Sequence, residues 1–224
     1  MTKNLLAGTA GVFRAAHAVN GLNDLVWPTL GSKQLIEDYV DGFIDGHLLL
    51  HGPFGTGKTE MAKRVPFALT GDPQIAADTL FINASDMTTK AQVVPQIHNF
   101  AQTLSFCEAG DRFVILDEAD RLDPRAQDAL KGIIDRYGHV VRFIFTTNHF
   151  GKLDGGIKSR CHCIEIGTCS PQQWLPRARA IMAAEHITIS DDDLLDLIDM
   201  GDGSGRKIMQ MLERFVARHR RQAA

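Results

Sequence analysis

Gly52-Pro53-Phe54-Gly55-Thr56-Gly57-Lys58-Thr59 fits the phosphate-binding pattern G-x-x-x-x-G-K-[ST] at every specified position. His47-Leu48-Leu49-Leu50-His51, a short apolar run of strand length, precedes it, and residues of helical character follow. Strand, loop and helix in that order are the context the pattern requires. The glycines let the backbone curl so that several N–H groups point into one concave nest, and the helix N-terminus adds partial positive charge. Lys58 is then placed for the β- and γ-phosphates of a nucleotide, and the Thr59 hydroxyl for Mg²⁺.

Such a loop needs a second acidic group near the metal and a group that activates water. Arg112–Asp117 reads as a strand with an unbroken apolar run, Phe113-Val114-Ile115-Leu116, of the kind buried on both faces. It ends in Asp117-Glu118-Ala119-Asp120. Asp117 is placed to hold the magnesium shell, and Glu118 beside it to act as general base on a water attacking the γ-phosphorus. A further strand, Val140–Thr147, runs into Asn148. Its amide could contact that water, although an asparagine ending a strand is equally a turn former.

The remaining chain supports an α/β reading. Helices are expected over Val12–Val19, Ser32–Ile44, Lys58–Leu69 (kinked or ended by Pro66) and Val93–Cys107, with Pro95 in the first turn of the last. Another runs from Pro124, capped by Asp123, to Tyr137. Thr79–Asn83 and Cys163–Ile166 add strands. Strands alternating with helices predict a five-stranded parallel sheet flanked by helices. After Gly167 only helices are expected: Pro171–Ala184, Asp191–Met200 and Ser204–Arg220. The division predicted is residues 1–168 as a nucleotide-binding α/β domain and 169–224 as a small helical lid.

Composition sets the limits. The 224 residues suit one large domain, or a core with a small second one. An apolar content of 44% and a charged content of 23% are ordinary for a globular protein. A formal net charge of −3 leaves any nucleic-acid contact to a local basic patch. No apolar run approaches the ~20 residues that cross a bilayer, and Arg14 and His17 interrupt the stretch after Leu5-Leu6 before a signal-peptide core could form. Four cysteines without regular pairing predict reduced thiols and a cytoplasmic protein. Cys161, His162, Cys163 and Cys169 are close in sequence, but the single residue between Cys161 and Cys163 fits no common structural-zinc spacing. Buried thiols are the expectation there.

Four stretches carry a family resemblance. Phe81-Ile82-Asn83-Ala84-Ser85-Asp86 is similar to an asparagine-alanine-serine-aspartate box, and Asp117-Glu118-Ala119-Asp120 with Leu122, Ala126-Gln127 and Ala129-Leu130 follows a Walker B strand and the helix after it. Ser159-Arg160-Cys161 matches a serine-arginine-cysteine signature, and Gly203-Ser204-Gly205-Arg206-Lys207 a glycine-rich start of a last lid helix. Together, over about Leu22 to Leu212, they resemble the AAA+ ATPases, and within them the subunits of sliding-clamp loaders: replication factor C small subunits and their bacteriophage counterparts. The resemblance implies an ATP- and Mg²⁺-dependent ATPase that assembles as a homo- or hetero-oligomeric ring or spiral, a pentamer being one form, with a sliding clamp and primer–template DNA as partners and an origin in a phage, plasmid or bacterium.

It also implies roles. Arg160 would be an arginine finger reaching the γ-phosphate of a neighbouring subunit, Arg206 a second sensor from the lid, and Asn148 the first sensor. Asn83 would be a switch holding Glu118 away from its catalytic pose, Gln127 a coupler between the Walker B turn and DNA-facing helices, and Leu25-Val26 the adenine edge. Lys90, Arg125 and Lys131 would face duplex backbone.

The chain also departs from that pattern. Read as a whole protein, it would end about where the lid ends, without a collar domain. Ala15-Ala16-His17-Ala18 stands near the place of a tyrosine-arginine-proline segment, and Gly155-Gly156-Ile157-Lys158 replaces an isoleucine-proline-leucine approach to Arg160. Two further readings therefore stay open: a collar-less remodelling or regulatory ATPase of transposition or chaperone type, and a binding module whose ATP only holds an interface together.

Overall fold

The structure is a computed structural model that describes residues 9–107 and 110–222, with side chains from Phe13 onward. Leu5 and Leu6 lie outside the described residues. The first helix is α1 (Thr9–Ala16), followed by α2 (Leu30–Val40), β1 (His47–His51), α3 (Lys58–Thr70), β2 (Thr79–Asn83), α4 (Lys90–Gln102) and β3 (Phe113–Asp117). Then come α5 (Pro124–Tyr137), β4 (Arg142–Thr147), the short α6 (Gly155–Lys158), β5 (Cys161–Glu165), α7 (Pro171–Ala184), α8 (Asp191–Asp199) and α9 (Gly205–Gln222).

All five strands form one parallel sheet in the order β2-β3-β4-β1-β5. Every residue of β3 is buried, as its apolar run predicts for a strand covered on both faces. On one face Val114, Leu116, Phe143 and Phe145 pack with Val93 and Ile97 of α4 and Leu130, Ile133 and Ile134 of α5. Each fully buried side chain of this kind stabilises the fold by roughly 1.5–3 kcal/mol. Parallel strands put their carboxyl ends on one edge, so the ends of β1, β3 and β4 open together, with Asn83 opposite Asp117 and His51 opposite Thr147.

By contact the chain divides into two units. One comprises Thr29–Phe54 and Lys58–Gly167, the sheet and its helices. The other comprises the described part of residues 1–28, Gly55–Gly57 and the described part of residues 168–224. The expected division at residue 168 put residues 1–28 with the sheet; here they group with the C-terminal helices. Asp24 pairs with Arg177 at 3.1 Å, His17 Nε2 bonds Glu185 at 2.7 Å, and Gln173 Nε2 donates to the carbonyls of Trp27 and Pro28. Phe13 joins Ile181, Leu194, Ile198, Ile208, Leu212 and Val216 in this unit's core.

Several boundaries differ from the sequence reading, each for a local reason. α2 stops at Val40 rather than Ile44, and Gly42 then takes a left-handed φ of 78°. α3 continues through Pro66, because burial of Met61, Ala62 and Val65 outweighs the one backbone bond proline cannot make. α4 starts at Lys90, where Thr89 and Gln92 form a capping box, so Pro95 lies beyond the first turn. It ends at Gln102 because a buried pair folds the next residues off: Asp78 Oδ2 accepts from the N–H groups of Phe106 and Cys107 at 2.7 Å, and Arg112 donates to Thr103 O at 2.7 Å. β5 begins at Cys161, two residues early, since an edge strand need not be apolar on its open side. For the same reason Cys163 is exposed and Cys161 half-buried, against the buried thiols expected, while Cys107 and Cys169 are buried.

Candidate functional site

The turn from β1 into α3 is built as the glycine pattern requires. Gly52 has φ 143°, and a methyl group on it would meet the Ile166 carbonyl oxygen at 2.2 Å, so only glycine lets the loop leave the sheet here. Pro53 and Phe54 are exposed, and Phe54 lies edge-on to His149 with ring centroids 5.5 Å apart. Gly55 and Gly57 also have positive φ; they and Thr56 count with the helical unit. Lys58 is buried, and its ammonium donates to Gly52 O at 2.9 Å and Pro53 O at 2.5 Å. Burial pushes this lysine down to about 8, against the pull of Asp117, Asp120 and Glu118. A lysine that loses its charge so readily gains most from an anion placed beside it.

The next residue joins the loop to β3. Thr59 Oγ1 donates to Asp117 Oδ1 at 2.7 Å, and Thr146 Oγ1 of β4 donates to the same oxygen at 2.6 Å. Thr146 in turn accepts the Glu118 N–H at 3.0 Å, so one buried hydroxyl fixes both members of the acidic pair. A threonine hydroxyl and a carboxylate side by side are the hard oxygen donors Mg²⁺ takes when substrate phosphates complete its shell. Thr59 and Asp117 therefore fit the metal. No group of three or more His, Cys, Asp or Glu side chains able to hold a metal ion occurs among the described residues, and a site of this type needs none.

Glu118 points elsewhere. Its backbone is left-handed, φ 54° and ψ 43°, a conformation that costs a non-glycine residue about 1–3 kcal/mol. Its Oε2 accepts from the Ser85 hydroxyl and from Arg121 Nε, the latter at 2.7 Å. Ser85 follows β2, on the far side of β3 from β1 and the phosphate loop. The two carboxylates thus face opposite ways: Asp117 towards β4 and α3, Glu118 towards β2. Asn83, expected from the resemblance to hold Glu118, instead accepts the Ser85 N–H through its Oδ1 at 2.9 Å. From the turn after β2 it is the Ser85 hydroxyl that meets the glutamate, and Asn83 shapes that turn.

The end of β4 is anchored from the same acidic stretch. Asp120 Oδ1 accepts from Thr147 Oγ1 at 2.7 Å and from the Asn148 N–H at 3.2 Å, which fixes the backbone at half-buried Asn148. Gln127 is buried in α5. Its amide nitrogen donates to Leu122 O at 3.0 Å and its oxygen accepts the Asp154 N–H at 2.7 Å. It therefore bridges the turn after the acidic pair to the segment that leads to Arg160. The Arg160 guanidinium is bidentate on Asp135, at 2.7 and 2.8 Å. Lys131, expected as a nucleic-acid contact, is paired with Asp128 at 3.0 Å and Asp154 at 3.4 Å. Lys90 and Arg125 are exposed at the starts of α4 and α5.

The helical unit carries the remaining candidates. Leu25 and Val26 are half-buried, and Val26 O accepts from Cys169 Sγ at 3.4 Å. Arg206 is exposed in the first turn of α9. Within this unit a methyl group on Gly55 would meet Ser204 Oγ at 2.3 Å, so the loop glycine and the start of α9 are closely apposed. Sequence reasoning missed Ser85, Arg121, Thr146 and Asp135 as parts of the site. Ser85 and Thr146 stand inside motifs already singled out; Arg121 and Asp135 carry no local signal.

Residues 48–167, more than half of the chain, match the family described as the ATPase family associated with various cellular activities (AAA). The chain is 32% identical over 196 residues to replication factor C subunit 5 of Homo sapiens, covering 86% of this chain and 56% of that protein. It is 33% identical over 181 residues to replication factor C small subunit 1 of Pyrobaculum arsenaticum, covering 81% and 55%. It thus spans about half the length of the relatives it matches. Among solved structures, the Thermotoga maritima RuvB Holliday junction branch migration motor superposes with a TM-score of 0.71 at 15% identity, over 88% of this chain and 64% of that one, a likeness of fold. The family match begins in β1 and ends after β5, so it takes in the loop, the acidic pair, Asn148 and Arg160 together, and the chain belongs to the AAA family of ATPases.

Proposed function

We propose that the chain is an ATP-hydrolysing subunit of clamp-loader type, working in an assembly with other subunits, a clamp and primed DNA. The observation that carries the reading is the shared hydrogen-bond network in which the Thr59 and Thr146 hydroxyls meet the Asp117 carboxylate and Thr146 accepts the N–H of Glu118, the next residue. The likeness to replication factor C subunits over most of the chain supports the choice of assembly.

In this reading the loop N–H groups and Lys58 bind the β- and γ-phosphates, and Thr59 and Asp117 hold Mg²⁺, which when bound neutralises phosphate charge. Glu118 takes a proton from water as its oxygen attacks the γ-phosphorus, the bond to the bridging oxygen breaks, and ADP and phosphate leave. Asn148 orients that water. Arg206 from the lid and Arg160 from a neighbouring subunit meet the γ-phosphate, Leu25-Val26 flank the adenine, and Lys90 and Arg125 face duplex backbone.

The contacts on Glu118 suggest how idle hydrolysis is limited. With Oε2 bonded to Ser85 and Arg121, the carboxylate must turn before it can serve as a base. Ser85→Ala and Arg121→Ala are each expected to raise turnover without DNA by about two- to fivefold, the ratio left when a hydrogen bond of about 0.5–1 kcal/mol net is removed. KM for ATP should stay unchanged. Rates at or below that of the parent in both variants would show that these contacts hold no resting state.

The functional reading is tested by steady-state ATP hydrolysis over a range of protein concentrations, with and without primed DNA. A rate per chain that climbs with concentration and rises further with primed DNA is expected. A concentration-independent rate would overturn the shared site, and concentration dependence without a DNA response would favour a remodelling ATPase.

A further inference from the structure

Helix α5 makes one polar row towards the segment that ends at Arg160. Gln127, Lys131 and Asp135 stand four residues apart, so they lie along one face. Gln127 accepts the Asp154 N–H, Lys131 pairs with Asp154, and Asp135 takes the Arg160 guanidinium. The approach is close: a methyl group on Gly156 would meet Lys131 Cδ at 2.4 Å, and Asp154 caps α6 by accepting the Gly156 N–H at 2.7 Å. The same helix is capped by Asp123, just after the turn that carries Glu118.

The bonds on Arg160 can be counted. A guanidinium has five N–H donors. Nε and Nη2 each donate to Asp135 and Nη1 donates to Gly156 O at 2.8 Å. One N–H on each terminal nitrogen remains, donors of the kind that bind phosphate oxygens. An exposed ion pair does little for stability. It does restrict a long, rotamer-rich side chain to one arrangement before any partner arrives, and that raises the rate of a step needing the side chain in place.

We propose that Asp135 is the positioning residue of Arg160, fixing the guanidinium on α5 so that its open edge is presented to the γ-phosphate bound by a neighbouring subunit. This rests on reading Arg160 as a shared-site arginine. Asp135 touches no substrate; it acts through Arg160. The ladder also makes the orientation of Arg160 depend on the helix that leaves the chain's own acidic pair.

Turnover of Asp135→Ala, Asp135→Asn, Asp135→Glu, Arg160→Ala and the Asp135→Ala/Arg160→Ala double variant, in the assembled protein, tests it. Asp135→Ala should lower kcat about tenfold with KM for ATP unchanged, Asp135→Asn should lie between, and Asp135→Glu should recover most of the loss. The double variant should be no slower than Arg160→Ala alone. Asp135 is exposed, so thermal unfolding midpoints should agree, and Asp135→Asn keeps the side-chain shape should the alanine variant fold poorly. Parent-like kcat in both Asp135→Ala and Asp135→Asn, or a loss that multiplies on top of Arg160→Ala, would overturn the positioning role alone. Parent-like turnover in Arg160→Ala would overturn the shared-site reading beneath it.

Discussion

Arg160→Ala is expected to leave ATP binding within about twofold of the parent and to lower kcat by about 10³–10⁵, the range over which an arginine supplied to a phosphoryl-transfer site acts. Lys58, Thr59 and Asp117, proposed to bind the phosphates and metal within one chain, lie at the start of α3 and the end of β3. Arg160 lies elsewhere, at the end of the short α6, where its partners are Asp135 and Gly156 O. It can therefore be removed without disturbing the cis site. Loss of the ion pair with Asp135 should not unfold the protein, because exposed pairs contribute little. Nucleotide affinity by titration and kcat at saturating ATP, at a protein concentration where the parent is fully active, separate the two effects. Affinity that collapses along with turnover would place Arg160 in the chain's own site.

How much of this was legible in the sequence depended on how local each feature is. The phosphate loop is contiguous: Gly52 must be glycine for a reason that its own φ and the neighbouring Ile166 carbonyl supply, and the pattern carries that constraint in its spelling. The β3 run and its acidic end were equally plain, since a strand buried on both faces is written as unbroken apolar residues. Element edges were blurred where tertiary contacts decided them. Thr103–Cys107 looks like continuing helix until Asp78, well before it in sequence, and Arg112, just after it, take its backbone groups. Cys161-His162-Cys163 looks unlike a strand because β5 pairs only with β1.

The connections within the site were the least legible. Glu118 was readable as a base from its place after Asp117, yet its actual partners come from residues 33 positions earlier and three later. Nothing in an isolated serine or arginine distinguishes a carboxylate partner from a solvated side chain. Asp135 is the same case: an acidic residue near the end of an exposed helix face is ordinarily solvated, and only the path of residues 154–160 back across α5 gives it a partner. The family resemblance pointed to Asn83 for the contact with Glu118, and the turn it shapes puts Ser85 there instead.

Glu118→Gln is expected to lower kcat by about 10²–10⁴, the usual effect of removing a general base, while nucleotide affinity is kept or improved. The amide keeps the side chain's shape and its ability to accept from Ser85 and Arg121, so the local fold should survive. It cannot take the proton of the attacking water. Asp117, Thr59 and Lys58 remain to hold phosphates and metal, so the chain should bind ATP and turn over slowly, accumulating in the ATP-bound assembly. The contrast with Ser85→Ala and Arg121→Ala is the discriminating part. Removing the carboxylate should slow hydrolysis, whereas removing the groups that restrain it should speed idle hydrolysis. Adding either restraint-removing change to Glu118→Gln should then give no acceleration, because no base is left to release. Single-turnover hydrolysis of bound ATP, measured in the three single and two double variants, reads the chemical step directly. Acceleration by Arg121→Ala that persists in the Glu118→Gln background would mean that Arg121 restrains something other than the base, and a Glu118→Gln variant that keeps more than about a tenth of the parent rate would move the base to another residue.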